Sequence, residues 1–343
     1  MHTRNRKSMG IKVLNLLAAG LLVAALVLGC NTNVSNGGEV QPPTPPVTDG
    51  YTVTMSAGVN GSITANPVIP AGGKVAKDTE ITFTATANPG YRVHTWTITG
   101  GTIQAGGQQG DTTAKVKVIA DTTVNVTFKP IVYTPVSYNN LSDHLTKTQP
   151  ASDGIYYIEV TGLTESDVKG PPPLSDSASP LGEILKKNKK KKVALKFGTI
   201  SYGVTDMNKC FEGCTNLVQV SNIPDSVTNM SLCFNGCKSL TSVPNIPNSV
   251  TNMGLCFKGC TSLTSVPNIP NSVKDMDWCF VGCKSLTSVT LKCGYRDGKF
   301  NFAFSGCSSL SVGSIKVPAD SLDDYKDNAR QMSAKAEWFA KGE

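Results

Sequence analysis

The stretch that decides the fold is Cys233-Phe-Asn-Gly-Cys237-Lys-Ser-Leu-Thr-Ser-Val-Pro-Asn-Ile-Pro-Asn-Ser-Val-Thr-Asn-Met253-Gly-Leu-Cys256-Phe-Lys-Gly-Cys260. The Cys-Phe-x-Gly-Cys unit that opens and closes it also stands at Cys210–Cys214 and Cys279–Cys283, so four copies fall at a spacing of 23 residues. A fifth, Ala303-Phe-Ser-Gly-Cys307, follows 24 residues later without its first cysteine. One period offers Leu240, Val243, Ile246, Val250, Met253, Leu255 and Phe257, and these apolar types recur at fixed places. Each is worth about 1.5–3 kcal/mol when fully buried, and a single 23-residue coil cannot bury them alone. Coils that stack on their neighbours can. The repeat therefore predicts a solenoid.

Working outward, residues 313–343 read as the C-terminal cap: a last strand at Ile315–Pro318, an amphipathic helix over Ala319–Met332, and Trp338 and Phe339 packed beside it. Upstream, residues 131–208 read as the N-terminal cap. Leu141–Gln149 and Leu181–Lys187 have helical patterns, and Tyr156–Val160 and Val193–Phe197 have strand patterns, with Pro171-Pro172-Pro173 between. Solenoids need such caps because their end faces are otherwise apolar.

Residues 51–130 change period. Tyr51–Met55, Gly61–Ala65, Glu80–Thr86, Tyr91–Ile98, Ala114–Ile119 and Thr123–Phe128 alternate apolar and polar residues between Gly- and Asn-rich turns. That is the signature of half-buried strands, here six in a small all-β sandwich or curled sheet. Residues 30–50, with Gln41-Pro-Pro-Thr-Pro-Pro46, form a linker whose proline half is extended and stiff. The expected class is thus multi-domain: a small all-β domain, then an α/β solenoid over 209–312 with helical caps.

The N-terminus opens on Arg4, Arg6, Lys7 and Lys12, then an apolar run to Val27-Leu28-Gly29-Cys30. A basic start, an apolar stretch and a small-residue ending make residues 1–29 a secretory signal. The run is short for a membrane span and contains Asn15. Its ending resembles the lipobox of bacterial lipoproteins, which implies cleavage before Cys30 and acylation of its thiol. Acyl chains contribute about 0.8 kcal/mol per buried methylene, so two or three of them anchor the chain in a membrane. Asn31 after the cysteine implies, within that family, passage to the outer membrane or cell surface.

Without residues 1–29 the chain has 28 basic against 25 acidic groups, about +3. That is too little for a nucleic-acid footprint. The run Lys186-Lys-Asn-Lys-Lys-Lys-Lys192 follows a helix-like segment, where lysines suit the dipole as a solvated cap; an anionic-ligand patch is the alternative.

Two resemblances add to this reading. The pattern Val-Thr-Asn-Met-x-x-Cys-Phe-x-Gly-Cys-x-Ser-Leu-Thr-Ser-Val over residues 204–312 resembles the BspA-like, or treponemal, class of bacterial surface leucine-rich repeats. The Leu-x-x-Val pairs (Leu240/Val243, Leu263/Val266, Leu286/Val289) then begin the repeat strands. The chain departs in placing cysteine at Cys210, Cys233, Cys256 and Cys279, and prolines at Pro244 and Pro267, which put the strand's length in question. Residues 51–130 resemble the bacterial repeat domain related to internalin B-repeats, on Gly61-Ser-Ile63, Ala71-Gly-Gly-Lys-Val75, Asn88-Pro-Gly-Tyr91 with Trp96, and Ala120–Phe128. That family implies a spacer or accessory module.

Eleven cysteines comprise Cys30, nine in the repeat motifs and Cys293. Buried free thiols, disulfides permitted by export and a metal site all stay open. The last lacks histidines, since His2, His94 and His144 lie outside the array. A nucleophile needs a base in reach. Neither His94 nor His144 accompanies a nucleophile motif, no phosphate loop is present, and Asp143, Asp206 and Asp275 read as turn or capping residues. No catalytic residue, metal or cofactor is implied. What the repeat does offer is a surface of equivalent positions from successive coils: Thr241/Ser242/Pro244, Thr264/Ser265/Pro267 and Thr287/Ser288/Thr290. A neutral, hydroxyl-rich face suits an extended protein or glycan. The resemblance implies adhesion to a host extracellular-matrix protein or another bacterial surface. The competing reading is a passive structural or antigenic surface protein.

Overall fold

Alternating burial at every second residue builds the first domain, in which β1 (Tyr51–Ala57), β2 (Gly61–Asn66), β3 (Lys74–Val75), β4 (Glu80–Ala87), β5 (Tyr91–Gly106) and β6 (Thr113–Pro130) form one six-stranded sheet. The computed structural model describes residues 50–342 apart from Pro89, Pro173, Leu174, Asp176, residues 199–202 and Pro244. The expected leader, the acylation site Cys30, nearly all of the linker and the surface residue Pro244 lie outside the described residues.

The strand order is β2-β4-β6-β1-β3, with β5 on the other edge of β6. The expectation of separate strands at 114–119 and 123–128 is corrected: they fuse into β6, and β5 runs on to Gly106 to pair with both halves. Inward alternation is unbroken across the junction, from Ala114, Val116 and Val118 to Thr122, Val124 and Val126. A bend there is accommodated by Gly100, at φ +77°, where a Cβ would lie 1.8 Å from the Asp121 carbonyl oxygen. The antiparallel β4 takes the first half of β6 and the parallel β1 the second. Phe83, Ile81, Val116 and Val124 fill the interior.

The chain then enters a parallel sheet. β7 (Thr134–Ser137) is followed by a 3₁₀ turn and α1 (Leu141–Lys147), then β8 (Ile155–Thr161), α2 (Glu165–Val168), α3 (Pro180–Lys187) and β9 (Lys192–Phe197). These strands lie in the order β10-β9-β8-β7, with β10 (Leu217–Ser221) belonging to the first repeat. α3 starts on a built cap: Ser179 Oγ accepts the Gly182 N–H at 3.1 Å and donates to the Cys210 carbonyl at 2.8 Å, and Pro180 stands at the first helical position. Leu181 and Leu185 point into the same interior as the repeats.

From Val204 the coils stack one on the next. The main coil-to-coil ladder does not run along the Leu-x-x-Val segment. It runs along Met-x-x-Cys-Phe-x-Gly, where alternate amides donate to the following coil: Met230 to Asn252 (2.8 Å), Leu232 to Gly254 (2.9 Å), Phe234 to Cys256 (2.9 Å) and Gly236 to Lys258 (2.7 Å). Named strands among the described repeats occur only where no proline follows the Val. They are β10, with Ser221 at the proline position, and β11 (Val289–Thr290), with Thr290 there. Beside Pro267 there are isolated bridges only, Ser265 to Ser288 and Ile269 to Leu291, and in the coil before it Gln219 bridges Ser242. Proline has no N–H to give a ladder, so the shortened strand has a covalent cause.

Inside the stack, Phe197, Phe211, Phe234, Phe257, Phe280, Phe304 and Phe339 form one column with ring centroids 5.4–6.2 Å apart. Turn geometry repeats too. Gly213, Gly236, Gly259, Gly282 and Gly306 all have φ near +72°, and each successive glycine sits over its predecessor's Cα. Asp206, Asn229, Asn252 and Asp275 form a polar column, each accepting the amide two residues on at 2.9–3.1 Å, as turn residues should. Lys169 and Lys299 pair with the two terminal aspartates at 3.0 and 3.2 Å.

At the far end β12 (Ile315–Val317), a 3₁₀ turn, α4 (Leu322–Asp327) and β13 (Phe339–Lys341) close the chain, in a sheet of order β11-β12-β13. The expected helix over 319–332 is corrected: it ends at Asp327, because the backbone beyond it turns back to the repeats. The Gln331 and Met332 carbonyls accept the Phe302 and Phe304 amides at 2.7 and 3.0 Å, taking the place of a further coil. The buried Tyr325 donates to the Cys293 carbonyl at 3.0 Å.

Candidate functional site

In the Leu-x-x-Val segment Leu240, Leu263 and Leu286 point inward, the two residues after each are exposed, and the valine turns back toward the interior. Thr241, Ser242, Thr264, Ser265, Thr287 and Ser288 are exposed, while Pro267 and Thr290 are half-buried. The hydroxyls do not behave alike. Thr241 Oγ1 donates to the Val218 carbonyl at 3.0 Å and Thr287 Oγ1 to the Thr264 carbonyl at 3.1 Å, so both are tied to the preceding coil. Among the described residues the Ser242, Ser265 and Ser288 hydroxyls have no such bond. The serines, rather than these two threonines, present the hydrogen-bonding groups of this face.

The first domain reaches this face. A groove of about 470 Å³ is lined on one side by Gln219, Ser221, Thr241, Ser242, Thr264 and Ser265. On the other side stand Thr86, Asn88, Gly90 and Tyr91, from the β4–β5 turn. The described residues form a single compact unit, and a polar lock sets the approach. Arg92 pairs with Asp153, and Asp153 Oδ2 accepts the Tyr157 hydroxyl at 3.0 Å. The Arg92 guanidinium also lies 5.0 Å from the centre of the Tyr157 ring. Burial, with the Asp153 charge beside it, pushes the Tyr157 phenol well up, so it stays a donor. Tyr133 stacks edge-on to Tyr157 at 5.9 Å and its hydroxyl meets Ser221 Oγ at 3.0 Å. Asn88, Tyr91, Gln219 and Ser221 were not evident as surface residues from sequence, because the domain's own repeat pattern carries no record of where that domain docks.

Thr290 belongs elsewhere. It lines a second recess, of about 340 Å³, with Asn268, Lys292, Lys316, Lys341 and Gly342. The lysine run after α3 is spread over several neighbours: Lys186 pairs with Glu183 at 2.8 Å, and Lys191 lies 5.4 Å from the centre of the Tyr156 ring.

The repeat cysteines are free thiols, all buried. From the second copy on, the last cysteine of the motif donates to a phenylalanine carbonyl one coil back: Cys237 to Phe211, Cys260 to Phe234 and Cys283 to Phe257, all at 3.1 Å, and Cys307 to Phe280 at 3.0 Å, while Cys214 donates to the Gly182 carbonyl of α3 at 3.4 Å. Burial pushes these thiols up, Cys260 and Cys307 to about 12. That is the opposite of what a nucleophile or a metal ligand needs. Among the described residues no group of three or more His, Cys, Asp or Glu is placed to hold a metal ion. His144 borders a recess with Asp143 and Lys147. His94 lies in β5.

A β-sheet domain docked on a stack of short coils with an outward hydroxyl face defines the class: a leucine-rich-repeat protein with an accessory sheet domain. Residues 194–311 match the BspA type leucine rich repeat region in six copies, and residues 51–132 match the divergent InlB B-repeat domain. The chain thus carries a BspA-type leucine-rich-repeat region preceded by an InlB-like repeat, as the two motif sets implied. Both families are binding or repeat domains without enzymatic activity. No curated protein and no solved structure matches the chain. No described helix is long and apolar enough to cross a membrane.

Proposed function

We propose that this chain is an exported lipoprotein, cleaved before Cys30 and acylated there, whose repeat region is an adhesion module at the outer membrane or cell surface. The linker over 30–50 would lift the folded part from the lipid headgroups. The segments 131–208 and 313–343 would serve as caps that shield the ends of a leucine-rich-repeat solenoid. The single observation that supports binding is the groove where Ser242 and Ser265 face the β4–β5 turn. It combines a repeating polar face with a second wall, which is the shape that holds an extended chain. The occupant would be a host extracellular-matrix protein, a glycan or another bacterial surface, with the membrane contacted through the N-terminal lipid. BspA-type repeat proteins are typically surface-exposed or secreted.

The double substitution Thr264→Lys/Ser265→Lys places two long charged side chains in the groove. It should abolish adhesion of cells displaying the chain to immobilised matrix proteins, with thermal unfolding unchanged. Adhesion that persists would rule out this face as the binding surface, and no adhesion by the parent chain would favour the passive structural reading. Mass spectrometry of the exported chain should find a diacylglyceryl-modified Cys30 at the N-terminus.

A further inference from the structure

The described polar side chains that line the groove at the β4–β5 turn are all uncharged. Pro89 and Pro244, beside that lining in sequence, carry no charge either. Among the described residues the side chains of Thr86, Asn88, Gln219, Ser242 and Ser265 and the Tyr91 hydroxyl have no intramolecular hydrogen bond, so their polar groups face the groove unspent. Hydroxyls and amides both donate and accept, as the hydroxyls of a sugar do. A charged ligand would find no opposite charge there. Tyr91, half-buried on the wall made by the turn, adds an aromatic ring, which suits the apolar C–H face of a pyranose.

Period separates a glycan from a polypeptide. Gln219, Ser242 and Ser265 stand at equivalent places in three successive coils, and Gln219 bridges Ser242 as a parallel neighbour. In the interior of the same coils the Phe211, Phe234 and Phe257 rings, within 15° of parallel, lie 5.6 and 5.4 Å apart. The groups of this face therefore repeat at about 5 Å, the spacing of parallel neighbours. An extended polypeptide laid across the coils advances about 3.3 Å per residue and shows the same side every two residues, about 6.6 Å. Between the first and third coils it would advance about three residues, so a side chain facing Gln219 has its counterpart at Ser265 facing away. An extended β-linked pyranose chain steps by roughly one ring per coil and keeps its hydroxyls in register. We propose that the groove binds a neutral, extended, β-linked polysaccharide, with one ring against Tyr91. The assignment rests on the groove being the adhesion site and adds the class of its occupant.

The test uses the full chain and β-linked cello-, manno- and chito-oligosaccharides of two to six rings, with maltohexaose, whose α-linked chain curls, for comparison. At least one β-linked series should bind, with affinity rising to about three rings, one per coil along the groove, and then levelling. Maltohexaose should bind about tenfold more weakly, and salt should leave the affinities unchanged because no charges pair. Tyr91→Ala should weaken binding about tenfold, the size of one ring contact, and Tyr91→Phe by much less, since the ring stays. Gln219→Ala/Ser242→Ala should also weaken it, and Lys189→Glu/Lys190→Glu, remote from the groove lining, should not. All variants should melt like the parent. No binding by any β-linked series, equal binding of maltohexaose, or unaltered binding in both groove variants would overturn the assignment. If Thr264→Lys/Ser265→Lys abolishes adhesion to matrix proteins while no oligosaccharide binds, the groove holds a polypeptide and only the ligand class falls. If neither adhesion nor oligosaccharide binding responds to the groove substitutions, the adhesion reading of the groove falls with it.

Discussion

At the residue scale the cysteines carry the clearest physical signal. Each repeat thiol sits where a small apolar side chain would fit, and Cys237, Cys260 and Cys283 also donate a weak hydrogen bond to a carbonyl of the coil before. Their raised pKa values couple to stability with a definite sign. In the unfolded chain a thiol ionises near pH 8.5, whereas Cys260 and Cys307 stay neutral to about 12 when folded. Protons are therefore held by the folded state and lost by the unfolded one across that window, so alkali favours unfolding. Stability should be constant below about pH 8 and fall above pH 9, by up to about 1.4 kcal/mol per pH unit for each buried thiol. Denaturant titrations between pH 7 and 11 would measure it. A flat profile would mean that the thiols are oxidised in the native chain. The sequence left free thiols, disulfides and metal open because spacing alone shows neither depth nor partner.

At the scale of the element, the coil is the unit and the phenylalanine column is its axis. Phe257 lies between Phe234 and Phe280 at 5.4 and 5.5 Å and is fully buried. Phe257→Ala should cost about 3–5 kcal/mol through lost burial and the cavity left behind, measured by urea unfolding. Phe257→Leu should cost less, since it keeps most of the volume. The position of each coil was legible from Cys-Phe-x-Gly-Cys, and so were the inward Leu, Val, Met and Phe. The ladder's location was not. Leu-x-x-Val looks like the strand, yet Pro267 withholds the amide that a strand would donate, and the continuous hydrogen bonding lies in the tight turns instead. Those turns hold Leu232, Leu255, Trp278 and Phe302 at φ of 54–58°, a conformation that residue preference argues against and that only stacking enforces.

At the scale of the whole molecule, the sheet domain is more than a spacer preceding the repeats. Arg92 and Asp153 are the ion pair at its contact with the parallel sheet, and the Asp153 side chain is only 5% exposed. Arg92→Ala would leave that carboxylate buried without its cation, which typically costs 3–5 kcal/mol. Limited proteolysis of the variant should cut near residues 130–133 and release the first domain, while the parent chain resists. If both are cut at the same rate, the two parts are independently mobile and the groove at Tyr91 is not a stable feature.

Local periodicity in the sequence determined much of this protein. The 23-residue repeat dictated stacked coils, because seven apolar side chains per coil have nowhere else to go. The period-two segments dictated a sheet domain, and the hydroxyl pattern marked an outward face. Tertiary structure alone decided how β5 and β6 bend together at Gly100, that Gln331 and Met332 stand in for a missing coil, and that the β4–β5 turn walls the serine-bearing face. It also decided that Lys292, Lys316 and Lys341 share one recess. Periodicity reports which way a side chain points within its own element. Which distant elements meet depends on docking between surfaces far apart in the chain, and no repeat encodes that.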